Sequence, residues 1–251
     1  MPKTHKEYWL ALRFVPRLAV HKKLALVETH GLIQLFQSPE LISTLKLTAN
    51  QTSAFTHPNW EHIEKVLVKS LSCQSEIICF DDQRYPKLLQ AIYDPPLVLF
   101  IQGDSQLLNK NQIAIVGSRS ATISGRDSAG KFAYQLVEHN LVITSGMALG
   151  IDAAAHRGAL LAKGKTIAVV ATGLDKVYPL RHKVLSQEIL QSGGLIVSEF
   201  IPGTLPKAGH FPKRNRIISG LSQGVLVVEA EIRSGSLITA RCAIEQGRDV
   251  F

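Results

Sequence analysis

The chain has 251 residues, of which 45% are apolar and 19% charged, a balance that fits a packed globular core and excludes a disordered chain. No apolar run approaches the ~20 residues of a membrane helix, no apolar stretch follows Met1-Pro2-Lys3 as a secretion signal would, and Cys73, Cys79 and Cys242 form neither a Cys-x-x-Cys pair nor an even set. A membrane protein, a disulfide framework and a structural zinc site are therefore disfavoured, the cytoplasm is the expected location, and the formal charge of +8 points to a polyanion, nucleic acid ahead of anionic lipid.

Residues 1–71 are predicted to form a small all-α module. Apolar residues recur at helical spacing, as in Leu10, Leu12, Phe14 and Leu18 or Leu32, Ile33, Leu35 and Phe36, with breaks at Pro16, Gly31, Ser38-Pro39 and His57-Pro58. Ser38-Pro39-Glu40 has the pattern of an N-cap followed by proline at the first helical position.

The texture changes over 72–251. Short apolar runs at Ile77–Phe80 and Leu97–Ile101 flank Tyr85-Pro86 and Asp94-Pro95-Pro96. Strand-like runs at Ile113–Val116, Leu141–Thr144, Thr166–Ala171, Leu195–Ser198, Val225–Glu229 and Asp249–Phe251 then alternate with helical stretches near 125–139, 152–163, 183–191, 215–221 and 236–246. Strands that are apolar throughout have both faces covered. The predicted fold class is therefore α/β, a Rossmann-like, doubly wound and mostly parallel sheet preceded by the helical module. The sequence stops within its last predicted strand.

In such sheets ligands sit beyond the carboxyl ends of the strands, so the βα turns are the place to look for function. The first, Gly117-Ser118-Arg119, is not Gly-x-Gly-x-x-Gly and lacks a downstream acid for a ribose, which disfavours a dinucleotide. Glycine, serine and a helix N-terminus suit a phosphate, and Arg119 suits a phosphate or a base face, although alone this is an ordinary tight turn. The second turn carries Ser145, Gly146 and Asp152, the last as a helix cap. The third carries Lys176 beside an aromatic ring, Tyr178. The fourth, Lys207 to Arg216, is read as a basic loop in which Phe211 interrupts cations including Arg214 next to Asn215. The fifth ends in Ser234, Gly235 and Ser236. Five turns of this composition on one rim describe an anion-binding groove in which cations follow a backbone and planar groups stack on bases. No Ser-His-Asp arrangement, paired carboxylates or metal-ligand cluster stands out, so no catalytic residue, metal or cofactor is expected.

The segments IAIVGSR, TSGMALGIDAAAH, TGLDKVYP, IVSEF, FPKRNRIISGLS and VLVVEA with SGSLITA resemble the DNA-processing protein A family, DprA, also called Smf. The resemblance is close from Ile113 to Phe251 and looser over Asp81–Gly103, and the N-terminal helices are similar to the family's SAM-like module. It implies a non-enzymatic cytoplasmic factor of natural transformation that binds single-stranded DNA, forms a homodimer and helps load the RecA recombinase. It also implies that Arg119 and Phe211, with Lys207 and Lys176, belong to the DNA pocket, and that the glycine and serine turns supply N–H groups to phosphates. A winged-helix module that many members carry at the C-terminus is absent from these residues. The competing reading is a nucleotide hydrolase on a related fold, similar to the lonely-guy phosphoribohydrolases. Against it, Ser234 to Thr239 runs into Ala240-Arg241, where those enzymes place a catalytic glutamate.

Overall fold

The computed structural model describes residues 2–231 and 234–251. Six helices come first: α1 (His5–Phe14), α2 (Val20–His30), α3 (Gln34–Gln37), α4 (Pro39–Thr44), α5 (Ala49–Thr56) and α6 (Trp60–Ser72). Their starts are chemically defined. Thr4 and Thr48 close capping boxes with Glu7 and Gln51, and the Asn59 side chain accepts from the His62 N–H at 2.9 Å, each satisfying N–H groups the first helical turn leaves free. Ser38 does precede α4 with Pro39 at its first position, but it makes no side-chain cap bond and its hydroxyl accepts from Gln34 instead.

After these come β1 (Glu76–Cys79), α7 (Lys87–Gln90), β2 (Val98–Gly103), β3 (Gln112–Gly117), α8 (Ile123–Glu138), β4 (Val142–Ser145), α9 (Ile151–Leu161), β5 (Thr166–Val170), α10 (Lys183–Gln191), β6 (Leu195–Ser198), α11 (His210–Leu221), β7 (Gly224–Val228), α12 (Gly235–Glu245) and β8 (Asp249–Val250). The eight strands form one sheet in the order β1-β2-β6-β5-β4-β3-β7-β8. All pairs from β6 to β8 are parallel, while β1–β2 and β2–β6 are antiparallel. This is the mostly parallel, doubly wound sheet read from the apolar strands.

Side chains alternate across the sheet. Ala114 and Val116 of β3 pack with Ile217, Ile218 and Leu221 of α11, whereas Ile115 packs on the opposite face with Ala129, Ala155 and Ala159 of α8 and α9. Those two helices approach so closely that a Cβ on Gly158 would fall on the Gly130 carbonyl. The N-terminal helices add to a third cluster, in which Trp9, Leu10 and Phe55 share a core with Ile77, Phe100, Ala168 and Ile196. The Arg13 guanidinium donates to the Glu199 carbonyl at 3.0 Å across that contact.

The chain runs outward from β3 through β4 and β5 to β6, then returns to place β7 on the other side of β3. The carboxyl ends of β3 and β7 thus lie side by side, with Gly117 opposite Val228. This reversal is the topological switch point where an open α/β sheet leaves a crevice.

Candidate nucleic-acid interface

A cavity of about 630 Å³ opens at the switch point. Its walls come from the turn after β3 (Gly117 to Ser120), from Ala148 and Asp152, from Tyr178, from Pro206 to Ala208, from one face of α11, and from Glu231 and the start of α12. The α11 face is Phe211, Arg214, Asn215 and Ile218, spaced i, i+3, i+4 and i+7 as one side of a helix must be. The structure therefore corrects the reading of this stretch as a loop. α11 already begins at His210, and Pro212 does not break it because a first-turn N–H has no partner within the helix.

The rim of the cavity is built for contact. The Arg119 guanidinium carbon lies 5.2 Å from the Phe211 ring centroid, and that ring lies 5.8 Å from Tyr178 at an interplanar angle of 51°. Arg119 is exposed and Tyr178 keeps 47% of its surface accessible. Three planar groups thus border one opening, and a cation over an aromatic face is a favourable pair in water-exposed settings. Lys207 is exposed on the same wall, and the Glu231 carboxylate, which sequence reading does not single out, also lines it. Tyr178 is visible in the sequence only as an aromatic residue in the third turn. Ile218 is legible as the i+7 partner of Phe211 only once the helix start is known.

The floor is different. Arg214 is buried, and its guanidinium donates to the carbonyls of Gly146 and Val169 and to the Asn215 side chain. Burial lowers its pKa to about 10, partly offset by Asp152, so it stays charged at neutral pH. Asn215 in turn donates to the Gly235 carbonyl at 3.1 Å, tying α11 to the start of α12. Asp152 does not act as an N-cap. It stands second in α9, and its carboxylate accepts from the N–H groups of Gly146 and Ala148, bracing the loop behind it. Burial raises its pKa above the usual carboxylate value, with Arg214 opposing that shift.

Several residues expected at the groove lie elsewhere. Ser145 is the last residue of β4, fully buried, and its hydroxyl donates to the Ile115 carbonyl at 2.6 Å. Gly146 is pressed against Arg214, where a Cβ would come within 2.6 Å of the guanidinium. Lys176 is exposed but lines a separate small hollow behind Tyr178. Gly117 and Ser118 do line the cavity, yet their main duties are local. A Cβ on Gly117 would fall on the Val228 carbonyl, and the Ser118 hydroxyl accepts from the Ser120 N–H. Nor is the N-terminus of α8 empty for a phosphate, because the Glu229 carboxylate already accepts from the Thr122 N–H and hydroxyl there. Ser234 and Ser236 are within 2.7 Å of each other through their hydroxyls, and a Cβ on Gly235 would meet open space.

Among the described residues no group of three His, Cys, Asp or Glu side chains has a metal-binding arrangement, and no helix is long and apolar enough to cross a membrane.

The model of the family described as DNA recombination-mediator protein A matches residues 76–251. The chain belongs to this family. Protein Smf of Escherichia coli is 45% identical over 205 residues, 82% of this chain and 55% of that protein. DNA processing protein DprA of Streptococcus pneumoniae is 51% identical over 170 residues, 68% of this chain and 60% of that protein. The chain thus spans little more than half the length of these curated relatives. The X-ray structure of S. pneumoniae DprA superposes with a TM-score of 0.83 at 39% identity, covering 100% of this chain and 87% of that one. DNA processing protein A from Helicobacter pylori, whose structure is described as giving insight into its unique single-stranded DNA binding mode, superposes with a TM-score of 0.64 at 36% identity over 71% of this chain and 80% of its own. The motifs from IAIVGSR to SGSLITA all lie inside the matched span.

Proposed function

We propose that this chain binds single-stranded DNA at the switch-point cavity without catalysing a reaction on it. The observation that carries the reading is the cluster at the cavity mouth of exposed Arg119 and Tyr178 around the half-buried Phe211 ring. Planar groups beside a cation take up unstacked bases irrespective of sequence, and a duplex keeps those base faces hidden. Lys207 and the chain's net charge of +8 add the long-range attraction. Family membership and the H. pylori relative support the same ligand. In this reading the protein works in the cytoplasm as a homodimer and delivers the bound strand to RecA, with residues 1–71 as a small helical module packed against the sheet domain.

The test is oligothymidine binding by the wild type and by Arg119→Ala at several salt concentrations. The log–log salt slope should be shallower in the variant by about 0.7 for each phosphate that is no longer neutralised, and single strands should outcompete duplex. Unchanged affinity and slope in Arg119→Ala would refute the site. Release of free base from nucleoside monophosphates would overturn the non-catalytic assignment.

A further inference from the structure

The turn that presents Arg119 is fastened at both ends by one residue on the neighbouring strand connection. The Ser118 N–H donates to the Glu229 carbonyl oxygen at 2.8 Å. Four residues further on, the Thr122 N–H donates to the Glu229 carboxylate at 2.8 and 3.1 Å, and the Thr122 hydroxyl donates to it at 2.6 Å. Between these anchors lie Arg119, Ser120 and Ala121, and of the three only Ala121 is buried. We infer that Glu229 is the positioning residue that holds Arg119 over the Phe211 ring, and so sets the geometry of the single-strand site.

Two independent features show that this place is built. A Cβ on Gly125 would fall on a Glu229 carboxylate oxygen, so the first turn of α8 has a glycine where the carboxylate comes to rest. Glu229 itself has φ +52, a left-handed conformation rare outside glycine, which persists where surrounding bonds over-determine it. The Thr122 hydroxyl and N–H also hold the Glu229 carboxyl below the usual range, with Arg126 contributing, so the clamp is ionised at neutral pH. A carboxylate suits this role because its two oxygens can accept several donors at once. Aspartate keeps the charge but is one methylene too short to make the same bonds, and glutamine keeps an acceptor oxygen at the right reach.

The inference rests on Arg119 contacting DNA, so the experiment separates the two ideas. Oligothymidine affinity is measured for Glu229→Ala, Glu229→Gln, Arg119→Ala and the Glu229→Ala/Arg119→Ala double variant, each with a thermal melt. Wild type, Glu229→Ala and Glu229→Gln, which all keep Arg119, are also treated briefly with trypsin, and cleavage after Arg119 is followed by mass spectrometry. Glu229→Ala should lose most of what Arg119→Ala loses, and the double variant should bind within about twofold of Arg119→Ala, because interacting sites are not additive. Glu229→Gln should restore binding to within about threefold of wild type, on the order of one weak hydrogen bond. Trypsin should cut after Arg119 faster in Glu229→Ala than in wild type. If Glu229→Ala does not melt cooperatively, Glu229→Asp takes its place in the cycle. Losses that multiply in the double variant, or wild-type cleavage after Arg119 once the clamp is removed, would overturn the positioning role. Should Arg119→Ala bind normally, the proposed DNA site fails, while the trypsin rates still decide whether Glu229 holds the turn.

Discussion

The rim and the floor of the switch-point cavity use the same kinds of residue for opposite ends. On the rim, Arg119 is exposed and its guanidinium lies over the Phe211 ring. On the floor, Arg214 is buried and its N–H groups go to two backbone carbonyls and Asn215. The serines, by contrast, are all engaged: the Ser145 hydroxyl donates to the Ile115 carbonyl, and Ser234 and Ser236, the latter buried, bond to each other at the cavity edge. A buried polar group must be satisfied within the fold and has little left for a ligand. A polar residue in a βα turn is therefore a binding residue only if the fold leaves it unpaired.

Substitutions can separate these two roles, and the largest effect belongs to the floor. Arg214→Ala leaves the buried Gly146 and Val169 carbonyls without their guanidinium donor and takes away the positive charge that opposes the raised pKa of Asp152, and should destabilise folding by about 2–5 kcal/mol, read by urea unfolding. Unaltered stability would show that Arg214 is no structural clamp. On the rim, Phe211→Ala should cost about 1–3 kcal/mol of oligothymidine affinity by removing a stacking surface, as measured by fluorescence anisotropy. A large drop in stability with normal affinity would move Phe211 into the same class as Arg214.

Acid provides a second probe of the buried face. His156 is fully buried, its Nδ1 lies 2.7 Å from the Thr166 hydroxyl, and burial pushes its pKa down to about 3, with His182 and Arg214 adding to the shift. Below the ordinary histidine pKa of about 6.5 the unfolded chain binds a proton that the folded chain refuses. His156 therefore contributes stability that is present above about pH 6.5 and falls away as the pH drops toward 3. His156→Gln should flatten the stability–pH curve in that window, and an equally steep curve would assign the acid sensitivity to other groups. The smallest effect is expected at Lys176→Ala. Its side chain is exposed and off the cavity wall, so stability should change by less than about 0.5 kcal/mol, with affinity close to wild type. A loss matching that of Arg119→Ala would extend the site past Tyr178.

Much of the architecture is legible in sequence. The six parallel strands and the helices between them declare themselves because a strand covered on both faces must be apolar throughout. The position of the cavity follows from topology. The start of α11 is harder to see because Pro212 reads as part of a loop, and this hides the common face of Phe211, Arg214, Asn215 and Ile218.

By itself the sequence determined the fold class and the family, and it pointed to the strand ends as the place to look for a ligand, since periodicity and motif spacing are local properties of the chain. Only the tertiary structure decided which polar turn residues remain free. That Ser145 and Gly146 are sealed in, that Lys176 lies outside the cavity and that Glu229 reaches across to grip the turn of Arg119 all depend on hydrogen bonds and packing between segments distant in the chain. Such interactions are set by the three-dimensional arrangement of strands and helices, and no spacing within a single motif encodes them.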